Sequence, residues 1–60
     1  MWYVVVEHTI HAFSSYADGE KFYRNAELEY REPFGTQDLE LAKLVQYNNI
    51  ADSYLRGELW

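Results

Sequence analysis

The chain has no cysteine, so disulfide staples and thiolate zinc sites are both excluded. It has one proline and three glycines, at positions 19, 35 and 57, too scattered to form a phosphate-cradling loop. Basic residues are also few: five Lys and Arg against ten Asp and Glu leave a formal charge of −5. A nucleic-acid binder gathers positive charge on one face, so direct DNA or RNA binding is not expected, nor is attraction to an anionic membrane. The longest apolar run, Met1 to Val6, is far too short to span a bilayer and lacks the basic flank and cleavage site of a secretory signal. The lack of cysteine fits a reducing cytoplasm, which is the expected location.

Sixty residues allow a single domain, 1–60, which buries only about 60% of the surface its unfolded chain exposes. Without disulfides or metal, such a domain must draw stability from bulky side chains or self-association. Bulk is available in two Trp, six Tyr and three Phe, including Trp60 at the end.

Residues 2–13, WYVVVEHTIHAF, are rich in β-branched and aromatic types and read as one strand. Alternation puts Trp2, Val4, Val6, His8, Ile10 and Ala12 on the core side. Tyr3, Val5, Glu7, Thr9, His11 and Phe13 fall on the other. Residues 20–32 fit two descriptions. As a helix, Phe22, Tyr23, Ala26 and Tyr30 share an arc, with Glu20–Arg24 and Glu27–Arg31 as i,i+4 pairs. As a strand, they supply the hydrogen-bonding partner that residues 2–13 require, through an Asp18-Gly19 turn. The strand is favoured. A three-residue loop, Ala17-Asp18-Gly19, pairs Ile10 with Ala26 and Val6 with Tyr30, but sets Glu7 against Glu29.

Glu32-Pro33-Phe34-Gly35-Thr36 is the internal boundary. Beyond it a helix over about 37–56 is expected, with Thr36 as N-cap, Asp38 and Glu40 in the first turn, and Arg56-Gly57 at its end. Leu41, Leu44, Val45, Ala51 and Leu55 form the stripe that should cover the sheet. Asn48-Asn49 weakens the middle, so the helix is either continuous or broken there, with Asn49 capping a second piece. The expected architecture is α+β: a two-stranded antiparallel hairpin over about 2–32 packed against one C-terminal helix.

No catalytic, cofactor or metal site emerges. His8 and His11, three apart on a strand, point to opposite faces and cannot share an ion. Ser14-Ser15 has no histidine and carboxylate placed to activate it, and an enzyme is not expected. Two surfaces remain. One is an acidic outer sheet face of Glu7, Glu27 and Glu29, with Asp18 and Glu20 at the tip, Glu32 at the far end and Lys21 and Arg31 interspersed. Such carboxylates can imitate a row of phosphates and occupy a basic groove in a protein partner. The other is aromatic: Tyr3, Phe13 and Tyr23 on the same outer face, and Tyr47, Ile50 and Tyr54 beside the helix stripe.

In size, charge and general build the chain resembles small acidic phage-encoded inhibitors of host defence, the anti-CRISPR proteins and uracil-DNA glycosylase inhibitors. The resemblance rests on no motif, and no family residue is carried over. It implies a protein that binds a nucleic-acid-handling enzyme, often in its DNA site, without catalysis. The competing expectation is a small structural or regulatory subunit, an antitoxin-like partner or a homodimer, associating through its aromatic surface.

Overall fold

The computed structural model describes residues 1–30 and 32–57. The expected Glu27–Arg31 pair, the place of Arg31 on the acidic face, and the Trp60 ring lie outside those residues. The protein is an α+β domain in the order β1 (Trp2–Val6), β2 (Thr9–Phe13), α1 (Tyr16–Glu29), β3 (Phe34–Thr36) and α2 (Leu39–Leu55). The antiparallel sheet runs β2-β1-β3, with the three-valine strand in the centre.

A hairpin and a carboxy-terminal helix are present as expected, but the hairpin is shorter and closes earlier. Residues 2–13 fold back on themselves at Glu7-His8, pairing Trp2 with Phe13, Val4 with His11 and Val6 with Thr9. Glu7 takes a positive φ of 53° while His8 does not, the sign pattern of a turn whose first central position is ordinarily glycine. The strand thus finds its partner in its own second half, and β3 takes the other edge, pairing Val5 with Phe34 and Tyr3 with Thr36. Residues 20–32 are then released from any duty in the sheet.

They are helical instead. Ser15 caps α1, its Oγ accepting from the Asp18 N–H at 3.3 Å, so Asp18-Gly19 lies in the first helical turn rather than in a hairpin loop. Gly19, Phe22, Tyr23 and Ala26, spaced i, i+3, i+4 and i+7, turn toward the sheet. The Glu20–Arg24 pair forms at 2.7 Å.

The two helices pack against all three strands and not against each other, which places them on opposite faces of the sheet. Cross-strand partners share a face, so the turn reverses the expected alternation. Trp2, Val4 and Val6 share the α1 side with Thr9, His11 and Phe13, while Tyr3 and Val5 share the α2 side with Ala12 and Ile10; Thr9 and Ala12 stay exposed on the β2 edge. Val4 and Val5 are both fully buried, one on each side, as only a strand covered on both faces allows. Trp2 lies edge-on to Tyr16, with ring centroids 4.8 Å apart, and its indole presses on Gly19 and Gly35.

The cap of α2 is Asp38, whose carboxylate accepts from the Glu40 N–H at 3.0 Å and the Leu41 N–H at 3.4 Å. Thr36, the expected cap, ends β3 and accepts from the Asp38 N–H one step earlier, at 3.1 Å. The helix runs through Asn48-Asn49 without a break and closes at Arg56 and a left-handed Gly57, φ 74°. Among the described residues no helix is long and apolar enough to cross a membrane.

Candidate functional site

A two-residue turn leaves backbone carbonyls that the sheet does not use, and these must find donors elsewhere. Helix α2 supplies them. Asn49 Nδ2 donates to the Glu7 carbonyl at 2.9 Å and Gln46 Nε2 to the His8 carbonyl at 2.8 Å. His8 Nε2 and Ser53 Oγ share a hydrogen bond at 2.8 Å. Gln46, Asn49 and Ser53 are spaced i, i+3 and i+7, in line with the fully buried Ala42, so they form one stripe. That polar stripe, rather than the leucine stripe, faces the sheet.

The consequence lies half a turn round the helix. Leu44 is 55% exposed, Tyr47 69%, Tyr54 56% and Leu55 83%, with Leu41 and Ile50 partly exposed at the margins. Leu41, Leu44 and Leu55, expected in the core, therefore belong to a continuous apolar outer surface with Tyr47 and Tyr54. Monomeric proteins rarely leave such a stripe in water. The sequence does carry a signal for it, the polar i, i+3, i+7 series opposite the leucines. Choosing between the two stripes requires knowing that the turn carbonyls need donors.

The other expected surfaces are not assembled. The sheet has no outer face, because both sides carry a helix. Phe13 and Tyr23 pack around Val4, Val6 and Ala26, with the Phe13 and Phe22 rings 5.2 Å apart. Tyr3 is half-buried on the opposite side, its hydroxyl 3.8 Å from the Met1 sulfur. These three aromatics share no exposed face. Glu7 sits in the β1–β2 turn, whereas Glu27 and Glu29 are on α1, roughly 200° apart round its axis. Glu29 borders a shallow concavity with Glu7, His11 and Asn25. Glu27 borders another with Glu20, Trp2 and Tyr16. Asp18 is exposed in the first turn of α1, where its charge meets the positive helix end.

Acidic groups do converge elsewhere. Glu7 stands between the first concavity and one lined by Glu32, Asp52 and Arg56, in which Asp52 pairs with Arg56 at 2.9 Å. On α1, a hydrogen bond to the Glu20 carboxylate and its negative charge raise the Tyr16 phenol above its ordinary 10.0, opposed in part by Arg24.

His8 and His11 line the same concavity, contrary to the opposed faces expected of a single strand. Their rings are nevertheless engaged, His8 with Ser53 and His11 against Phe22 at 4.5 Å. Among the described residues no group of three His, Asp or Glu could hold a metal ion. A serine hydrogen-bonded to histidine is the pairing a nucleophile requires, yet Ser53 is buried and its hydroxyl is turned to the β-turn. The pair latches α2 to the hairpin.

No family model, curated protein or solved structure matches the chain.

Proposed function

We propose that the protein is a non-enzymatic association module whose binding surface is the outer face of α2. One observation carries this reading: the helix spends its polar stripe on the hairpin and leaves Leu44, Tyr47, Tyr54 and Leu55 exposed together. Leucine and tyrosine side chains lose unfavourable contact with water when a partner covers them, and tyrosine keeps a polar tip for the rim. The reading belongs with the structural or regulatory subunit class, acting in a reducing compartment that the cysteine-free composition suits.

A second reading, the acidic inhibitor of a nucleic-acid-binding complex, is favoured by the net charge of −5 and by Glu7, Glu29, Glu32 and Asp52 near the turn. The experiment that separates them is capture, from bacterial lysate that also holds untagged copies of the chain, with three baits and stepped salt elution. These are the parent chain, Leu44→Glu/Tyr47→Glu, and Glu7→Lys/Glu29→Lys. Loss of the bound protein from the α2 variant alone, with binding that resists salt, is expected. Loss from the acidic variant alone, with release at moderate salt, would transfer the function to the carboxylates.

A further inference from the structure

We infer that the occupant of the α2 surface is a second copy of this chain, docked antiparallel across a twofold axis beside Asn49. This rests on the association reading above and adds the identity of the partner.

Leu44, Tyr47, Ala51 and Tyr54 follow one another at intervals of three, four and three residues. That is the spacing of a helix–helix seam, and it runs through the exposed Leu44, Tyr47 and Tyr54 with the half-buried Ala51 between them. Run antiparallel against itself about its midpoint, the series is self-complementary. Tyr47 meets Ala51 of the second copy, a large ring over a small side chain, and Leu44 meets Tyr54. The flanking positions also match: Ile50 faces Ile50, Asn48 faces Asn48, and Leu41 approaches Leu55. No like charges oppose one another within the seam. Glu40, the next position in the series, marks its amino-terminal limit.

The area is of the right size. From their fractional exposures, Leu41, Leu44, Tyr47, Ile50, Tyr54 and Leu55 present at most roughly 700 Å² per chain, if a fully exposed side chain offers no more than about 200 Å². A standard stable interface buries about 800 Å² per partner. A domain of this length, without disulfides, also gains the most from a second copy.

Sedimentation from micromolar to millimolar concentration is the test, with circular dichroism to show that variants fold. The parent is expected to pass from 7.2 kDa to twice that mass. Leu44→Glu/Tyr47→Glu is expected to weaken dimerisation at least about thirtyfold, as loss of central anchors does. Leu44→Ser guards against misfolding and should weaken it in the same direction. Orientation is read by cysteine cross-linking in this naturally cysteine-free chain. Leu44→Cys mixed with Tyr54→Cys should give a disulfide dimer under mild oxidation. Leu44→Cys alone should not, because its two copies stand about 15 Å apart along the axis.

A monomer at every concentration would overturn the second-copy inference. The association reading would survive if a heterologous protein were still lost from the Leu44→Glu/Tyr47→Glu bait. A dimer indifferent to that variant would place the contact elsewhere and overturn the inference as well.

Discussion

Replacing Gly19 by alanine sets two known effects of opposite sign against each other. In a helix interior alanine is favoured over glycine by about 1 kcal/mol, so an exposed Gly19 would yield a more stable protein. Here Gly19 is buried, and a methyl group on it would overlap Trp2 Cδ1 and stand 2.9 Å from Cγ. The indole has little room to retreat. On another side it meets Gly35, where a methyl would lie 3.0 Å from Cζ2, and its edge contacts Tyr16. Overpacking of this kind costs about 1–3 kcal/mol. The net expectation is a loss of up to about 2 kcal/mol, which for a domain of this size lowers Tm by up to roughly 16 °C. Thermal melting by circular dichroism measures it, with the same substitution repeated in a Trp2→Leu background. There the smaller side chain leaves space, and Gly19→Ala should turn neutral or stabilising, a coupling that only contacting residues display. A rise in Tm on Gly19→Ala in the parent chain would refute the packing of α1 on Trp2.

Glu7→Gly should raise stability by about 0.5–1 kcal/mol in urea unfolding, because glycine adopts the positive φ of that turn without strain. Gln46→Leu, which would help if position 46 faced an apolar core, is expected to cost about 1 kcal/mol, since the His8 carbonyl loses its donor. Tyr16 should remain protonated beyond pH 10.0, and Glu20→Gln should lower its midpoint in a tyrosine-resolved NMR titration. Because the folded phenol holds its proton more tightly than the unfolded one, its stabilising contribution is present below pH 10.0 and declines as the pH rises through the raised value. Glu27→Lys/Glu29→Lys should leave both the fold and the mass in solution unchanged, as both residues are exposed on α1 and distant from the α2 surface.

The α+β class, the β character of residues 2–13, the carboxy-terminal helix within two residues of its ends, and its stop at Gly57 are all legible from residue types alone. The hairpin turn is not. Glu7-His8 carries no glycine, asparagine or proline, and the chain bends there by forcing a glutamate into left-handed backbone. Without that turn the long strand lacks a partner within itself, and Asp18-Gly19 takes on the look of a hairpin loop. The sequence signals of a helix there are Ser15 before Asp18, the Glu20–Arg24 spacing, and the Phe22, Tyr23 and Ala26 arc. The rotation of α2 was illegible for a related reason. Its leucine stripe and its Gln46, Asn49 and Ser53 stripe are equally regular, and hydrophobic burial alone selects the leucines. The turn carbonyls decide otherwise, and they can be counted only after the turn is known. Tyr47 and Tyr54 are legible from the sequence as contact residues; Leu44 and Leu55 are not, since the same rule assigns them to the core.

The rotation of α2 underlies both the proposed surface and its proposed occupant, and an isotope-edited NOE spectrum of the dilute protein reads it directly. Cross-peaks from the side-chain amides of Gln46 and Asn49 to the Glu7-His8 turn are expected, with the Leu44 methyls and Tyr47 ring silent toward Val5 and Ile10. Strong contacts from Leu44 to Val5 or Ile10, with the Gln46 and Asn49 amides exchanging freely with water, would contradict it and return the leucines to the core.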